Sequence, residues 1–242
     1  MRRFTFVIGG LVLGLAWLLS VGSNEAVAQG SPAIIIYSHG TVRPQKAEDC
    51  NADYNRVPDS LTRLEQRGLA RIRFLCSTAT DDDKEQGTYI YKRAGEIGRE
   101  VDLLRARGAR ARDIFLAGHS AGAWSSLMFM SSGADRVNAA ILFAPACCGP
   151  RSERDVYPQW LKVIQPRQVS EITSGKIISA LVFAYSDDPF NRPQDLGFLT
   201  KTFPNSIRLI AEACGAGHLT HLSDCQGGQT ADEIEKYLAA RR

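Results

Sequence analysis

Short apolar runs recur along the chain, and most are followed by a polar turn and then a segment with helical spacing. Ala33-Ile34-Ile35-Ile36-Tyr37 is β-branched and continuous, as a strand covered on both faces would be. Residues 71–75, 113–117, 139–144, 176–184 and 206–211 repeat the type. Between them, Ser60 to Arg67 with Gly68 as a stop reads as a short helix. Tyr89 to Arg107 has the clearest helical period, with Ile90, Ala94, Ile97, Val101 and Leu104 on one stripe. Its charged residues, Lys92, Arg93, Arg99, Arg105 and Arg107 among Glu96, Glu100 and Asp102, read as an ordinary solvated face. A helix follows residue 120, with Trp124, Leu127 and Met128 inward, and stops at Gly133. Pro193 to Phe203 reads as a further helix, and the last starts at Thr230, where Thr230 and Glu233 suggest a capping box.

Strands alternating with helices predict an α/β fold, a mostly parallel, doubly wound sheet of about six strands with helices on both faces. Pro145 to Pro166 shows no regular period and is expected to form a small lid over the site. No internal repeat or low-complexity tract interrupts this single domain.

The N-terminus is different. Arg2 and Arg3, an apolar run from Phe4 to Val21 and Ala26-Val27-Ala28 before Gln29 have the form of a secretory signal peptide, residues 1–28. A membrane anchor is the rival, since the run is just long enough to span a bilayer; its glycines and the small-x-small site favour cleavage. The remaining residues, 29–242, suffice for one domain with a sizeable core, secreted or periplasmic and free of the membrane once cleaved.

A formal net charge of +3 gives no reason to expect a nucleic-acid partner. The six cysteines all follow the signal segment, so disulfides are expected in an oxidising compartment. Cys50 with Cys76 and Cys214 with Cys225 are the preferred pairs, each tying down a loop near the site. Vicinal Cys147 and Cys148 could bond to each other, pair elsewhere or remain buried thiols.

The chemistry centres on Gly118-His119-Ser120-Ala121-Gly122, between an apolar strand and a helix. Such a pentapeptide holds a serine at a sharp bend, where the helix N-terminus offers free N–H groups to a developing oxyanion. Glycine on either side removes Cβ atoms that would collide. Ligand sites in parallel sheets lie beyond the carboxyl ends of the strands, and His39, Thr41, Ser120, Asp187, Asp188 and His218 all fall at such ends. Ser120 is the candidate nucleophile. His218, after Gly215-Ala216-Gly217, is the candidate base, with His221 as alternative and a zinc site of both histidines with Asp224 or Cys225 as a third reading. The acid is Asp187 or Asp188. The oxyanion donors are the N–H groups of Thr41 and Ala121, with Gly40 equally placed for the former. His39 and His119 read as packed, hydrogen-bonded histidines. Asp81-Asp82-Asp83 reads as a solvated acidic loop rather than a calcium site.

On these residues the chain resembles the α/β-hydrolase superfamily, with nucleophile, acid and base in the order Ser, Asp, His. It is similar to small secreted esterases and dienelactone-hydrolase-like members, though Ser120 replaces the cysteine of the latter. Ser38-His39-Gly40-Thr41 stands where some lipases carry His-Gly-Gly-Gly. The resemblance selects Asp188, which precedes Pro189 as the superfamily pattern has it. It implies ester hydrolysis through an acyl-enzyme on a small-molecule substrate, without metal or organic cofactor. A peptidase or acyltransferase on the same residues and a catalytically silent binding protein are the rival readings. Oligomeric state is not encoded in any of these features.

Overall fold

The computed structural model describes residues 31–41, 50–81, 87–153, 155, 159–213, 215–223 and 228–242. Six strands, β1 (Ala33–Ser38), β2 (Ala70–Leu75), β3 (Ile114–His119), β4 (Ala139–Phe143), β5 (Ala180–Tyr185) and β6 (Ile207–Glu212), form one sheet in the order β2-β1-β3-β4-β5-β6. Every neighbouring pair is parallel. The helices are α1 (Asp59–Gln66), α2 (Thr88–Ala106), α3 (Ala121–Gly133), α4 (Gln165–Ser174), α5 (Gly197–Thr202) and α6 (Gln229–Ala239). Among the described residues, no helix is long and apolar enough to cross a membrane.

Side chains alternate across the sheet and so build two cores. Ile36, Leu116, Leu142 and Val182 face a layer with α2 and α3, which adds Ile97, Trp124 and Leu127. Ile35, Tyr37, Phe115, Ile141 and Phe183 face the other way, against Leu61 and Leu64 of α1 and Ile234 and Leu238 of α6. The central strands β3, β4 and β5 are buried along their whole length, which is why they read as continuous apolar runs.

The strand order reverses between β1 and β3, so the chain leaves their carboxyl ends in opposite directions and opens a crevice there. Ser38 lies level with Gly118 across this pair. The segment after β1 and the turn after β3 are therefore neighbours.

Several elements depart from the sequence expectation. Helix α4 was not legible because Pro166 in its first turn looks like a stop, although proline is tolerated there. Its inward stripe is also hidden, since Gln168 is fully buried between Ile164 and Ile172, accepting from Trp124 Nε1 at 2.9 Å and donating to Gly87 O. Strand β5 begins at Ala180 rather than Lys176; the Lys176 N–H bonds Ser131 O at 2.7 Å and Ile177 is exposed. Helix α5 covers only 197–202 of the expected 193–203. The capping box does not form: Gly228 caps α6, and Glu233 instead pairs with Arg208 and Lys236. The expected disulfide Cys50–Cys76 is present, and Cys147 and Cys148 bond to each other. Cys214 and Cys225, like Asp82, Asp83, Asp224 and the signal segment, lie outside the described residues.

Candidate active site

Ser120 joins β3 to α3 with φ 52° and ψ −119°, a left-sided backbone that a residue with a Cβ adopts only under constraint. Its N–H bonds Phe143 O at 3.0 Å, and its carbonyl accepts from Trp124 and Ala146. Glycine at 118 and 122 is what allows this turn. A Cβ on Gly118 would lie 2.6 Å from the Gly122 carbonyl carbon, and one on Gly122 would lie 1.9 Å from Ser38 O. The second contact also presses the start of α3 against the end of β1. Ala121 is the first residue of α3, so its N–H has no acceptor within the helix.

The candidate acid and base come from the loops after β5 and β6. Asp188 is fully buried; its Oδ2 accepts from His218 Nδ1 at 2.8 Å and its Oδ1 from the Phe190 N–H at 2.6 Å. The bond at Nδ1 fixes the proton there and leaves Nε2 as the acceptor. His218 Nε2 has no hydrogen-bond partner among the described residues, so no direct bond joins it to Ser120. Both side chains line one cavity of about 620 Å³, together with Gly40, Thr41 and His119. The other walls are mostly apolar: Tyr54, the Cys147–Cys148 disulfide, Trp160, Phe190 and Leu219. The segment after β4, where a lid was expected, supplies residues 146–150, Glu153 and Trp160 of that lining.

The alternatives are placed elsewhere. Asp187 accepts the Gly217 N–H at 2.9 Å and so shapes the base loop without touching the imidazole. His221 is buried and stacks on His119 with ring centroids 3.6 Å apart. His119 in turn lies 4.7 Å from the His218 ring, and its Nε2–H donates to the His218 carbonyl at 2.9 Å. His119 thus supports the base loop from beneath. Thr41 and Gly40 border the cavity beside Ser120. His39, Cys50 and Cys76 are close enough together to hold a metal ion, but here the two sulfurs are bonded to each other.

Sequence reasoning missed two residues. Arg151 donates to Asp188 O at 2.6 Å and pairs with Asp195, fastening the acid loop. Arg93 does not lie on a solvated face: it is 1% exposed and donates to the loop after β1. A signal existed, because Arg93 lies three residues after Ile90 and four before Ile97, on the buried stripe itself.

Three of the four histidines are held neutral. Burial, then the Arg93 charge, pushes His39 down to about 4. Burial, then His218, pushes His221 down to about 3, and burial with the neighbouring His221 and His218 holds His119 well below its usual range. In the unfolded chain each titrates near 6.5. Their contribution to stability is therefore complete above that pH and is lost as pH falls toward the folded values. Between pH 6.5 and 5 stability should decline by up to about 1.4 kcal/mol per pH unit for each of them. Urea unfolding across this range measures the slope, and His221→Gln should lessen it by about one histidine's share. A slope unaffected by that substitution contradicts the burial argument.

The acid assignment has a separate test. Asp188→Asn should lower turnover about 10⁴-fold by losing the charge and the tautomer control, with the loop geometry retained. Asp187→Asn should cost less than about tenfold, because an amide oxygen still accepts the Gly217 N–H. Comparable losses from both variants would contradict the assignment.

The all-parallel sheet, the strained serine turn at its switch point and the loop-borne His–Asp pair define an α/β-hydrolase. The chain belongs to the serine hydrolase family, which it matches over residues 100–238. Solved structures agree on the fold. A monoacylglycerol lipase from Paleococcus ferrophilus superposes with a TM-score of 0.62 at 13% identity, over 88% of this chain and 97% of that one. A thermophilic esterase from Thermogutta terrifontis, with butyrate bound, gives 0.57 at 13% identity over 86% and 83%. A puromycin-hydrolysing peptidase from Mycobacterium tuberculosis gives 0.60 at 13% identity, over 87% of this chain and 34% of that one. No curated protein matches the chain in sequence.

Proposed function

We propose that this serine hydrolase cleaves carboxylic esters through an acyl-enzyme, with Ser120 as nucleophile, His218 as base and Asp188 as its acid partner. The observation that carries the reading is the Asp188–His218 hydrogen bond, which leaves His218 Nε2 an acceptor without a partner among the described residues, in a residue that lines the same cavity as Ser120 at its strained turn. Ser120 Oγ attacks the ester carbonyl as Nε2 takes its proton, and the carbonyl oxygen becomes an anion. The N–H groups of Ala121 and Thr41, or of Gly40 in place of Thr41, receive it. The intermediate collapses, the C–O bond breaks and the imidazolium returns the proton to the leaving alcohol. Water then repeats the sequence and releases the acid.

The cavity favours esters over peptides. Its aromatic, sulfur and leucine walls offer apolar contact to a small uncharged substrate but few groups to pair with the N–H and C=O of an extended peptide. Export fits this function, since Arg2, Arg3, the apolar run and Ala26-Val27-Ala28 have the signal form and the disulfides Cys50–Cys76 and Cys147–Cys148 suit an oxidising compartment.

A panel of p-nitrophenyl esters of graded acyl length, set beside peptide p-nitroanilides and lactones, tests the substrate class. The esters should turn over at least about 100-fold faster than the anilides. Preferential cleavage of the anilides would assign a peptidase, and no turnover across the panel would contradict the ester reading.

A further inference from the structure

Arg93 lies in α2, which contributes none of the residues proposed for catalysis, yet its side chain is among the largest that are fully buried. Nη1 donates to Gly40 O at 3.2 Å, and Nη2 donates to His39 O and, at 3.3 Å, to Ser38 Oγ. Among the described residues no carboxylate is within salt-bridge range of it. Burial lowers its pKa to about 10, against smaller opposing effects from Tyr89, Glu96 and Tyr37, so the guanidinium stays charged at neutral pH. Burying such a group without an ion-pair partner is costly. A leucine or methionine would complete the stripe between Ile90 and Ile97 without that cost, so packing alone does not call for a charge at this position.

The position of the two carbonyls gives the reason. In a planar trans peptide the C=O of one residue and the N–H of the next point in opposite directions. Drawing His39 O toward Arg93 therefore turns the Gly40 N–H away from it, and drawing Gly40 O turns the Thr41 N–H the same way. These are the two alternative oxyanion donors after β1, and both residues line the cavity beside Ser120. We propose that Arg93 is a positioning residue that clamps both peptides of this loop with their N–H groups toward the oxyanion, its charge lying directly behind them. The proposal rests on the ester-hydrolase reading above.

The surroundings reinforce the clamp. The His39 ring also bonds Gly40 O, and its Nε2 accepts the Ser77 N–H at 3.0 Å. Gly40 lies so near His119 that a Cβ on it would be 2.8 Å from Nδ1. A flip of either peptide would aim a carbonyl oxygen into the hole and repel the anion. The guanidinium resists that flip with a hydrogen bond to each carbonyl, and its charge polarises both peptides in the sense that strengthens their N–H donors.

The test compares wild type with Arg93→Met and Arg93→Lys by kcat and KM on a p-nitrophenyl ester and by the affinity of a phenylboronic acid, which becomes a tetrahedral anion on the nucleophile. Arg93→Met should lose about 100-fold in kcat with KM within about twofold, and boronate affinity should weaken by a similar factor. Arg93→Lys should lose about tenfold in both, because an ammonium lacks the planar fork that spans two carbonyls. A merely structural arginine would move KM or stability without a matched change in boronate affinity, and that result overturns the proposal. So does Arg93→Met with kcat within about threefold of wild type. Should Arg93→Met not accumulate as folded protein, Arg93→Lys decides alone: the matched tenfold loss supports the clamp and wild-type values overturn it. Failure of wild type itself to bind the boronate, or equal binding by Ser120→Ala, would refute the nucleophile assignment instead and is separable from any result at Arg93.

Discussion

Ser120→Ala is expected to lower ester turnover by between about 10⁴- and 10⁶-fold, the scale on which a serine hydrolase loses its covalent route. Folding should be little affected. The strained φ of 52° is set by the packing of β3, β4 and α3, and alanine has the same Cβ as serine, so the backbone and its bonds to Phe143, Trp124 and Ala146 persist. Ser120→Gly makes the complementary case: glycine adopts positive φ without strain, so this variant should be inactive yet as stable as wild type or more stable by about 1 kcal/mol. The pair separates the cost of the turn from its use. Steady-state kinetics on a short-chain ester with a urea unfolding curve measures both, and an alanine variant retaining a tenth of wild-type turnover would contradict the nucleophile assignment.

His218→Ala should be nearly as damaging, because the same proton must leave Ser120 and reach the departing alcohol through one imidazole. The comparison that gives this force is His221→Ala. His221 is three residues away and more deeply buried, but among the described residues its ring nitrogens bond nothing, Asp188 included, and it does not line the cavity; it stacks on His119, which holds the His218 carbonyl. Its removal should loosen the base loop and cost about tenfold in turnover, with a fall in stability from the space left behind. His218→Ala should also cost stability, since it strands the buried Asp188 carboxylate, but turnover should fall by about 10⁴-fold or more, far beyond the loss at His221. The opposite ranking would show that the base had been chosen wrongly.

The parallel sheet was readable because β3, β4 and β5 are buried on both faces and so present uninterrupted apolar runs. The sharp turn that carries Ser120 was readable because Gly118 and Gly122 sit where any Cβ would strike backbone. What the sequence concealed follows one physical pattern, the polar side chain that is satisfied inside. Gln168 hid the stripe of α4, and Arg93 passed for surface because neither partner is local: Trp124 and the loop after β1 lie 44 and more than 50 residues away. The choices between Asp187 and Asp188, and between His218 and His221, had the same origin. Each pair offers the same chemistry within a few residues, and only the curl of two loops decides which member meets the other at 2.8 Å.

A covalent adduct reports directly on which residue is the nucleophile. Wild-type protein treated with a fluorophosphonate and digested for mass spectrometry should carry a single adduct on Ser120, and Ser120→Ala should carry none. An adduct on any other residue, or none on wild type under conditions that label a known serine hydrolase, would contradict the proposed mechanism.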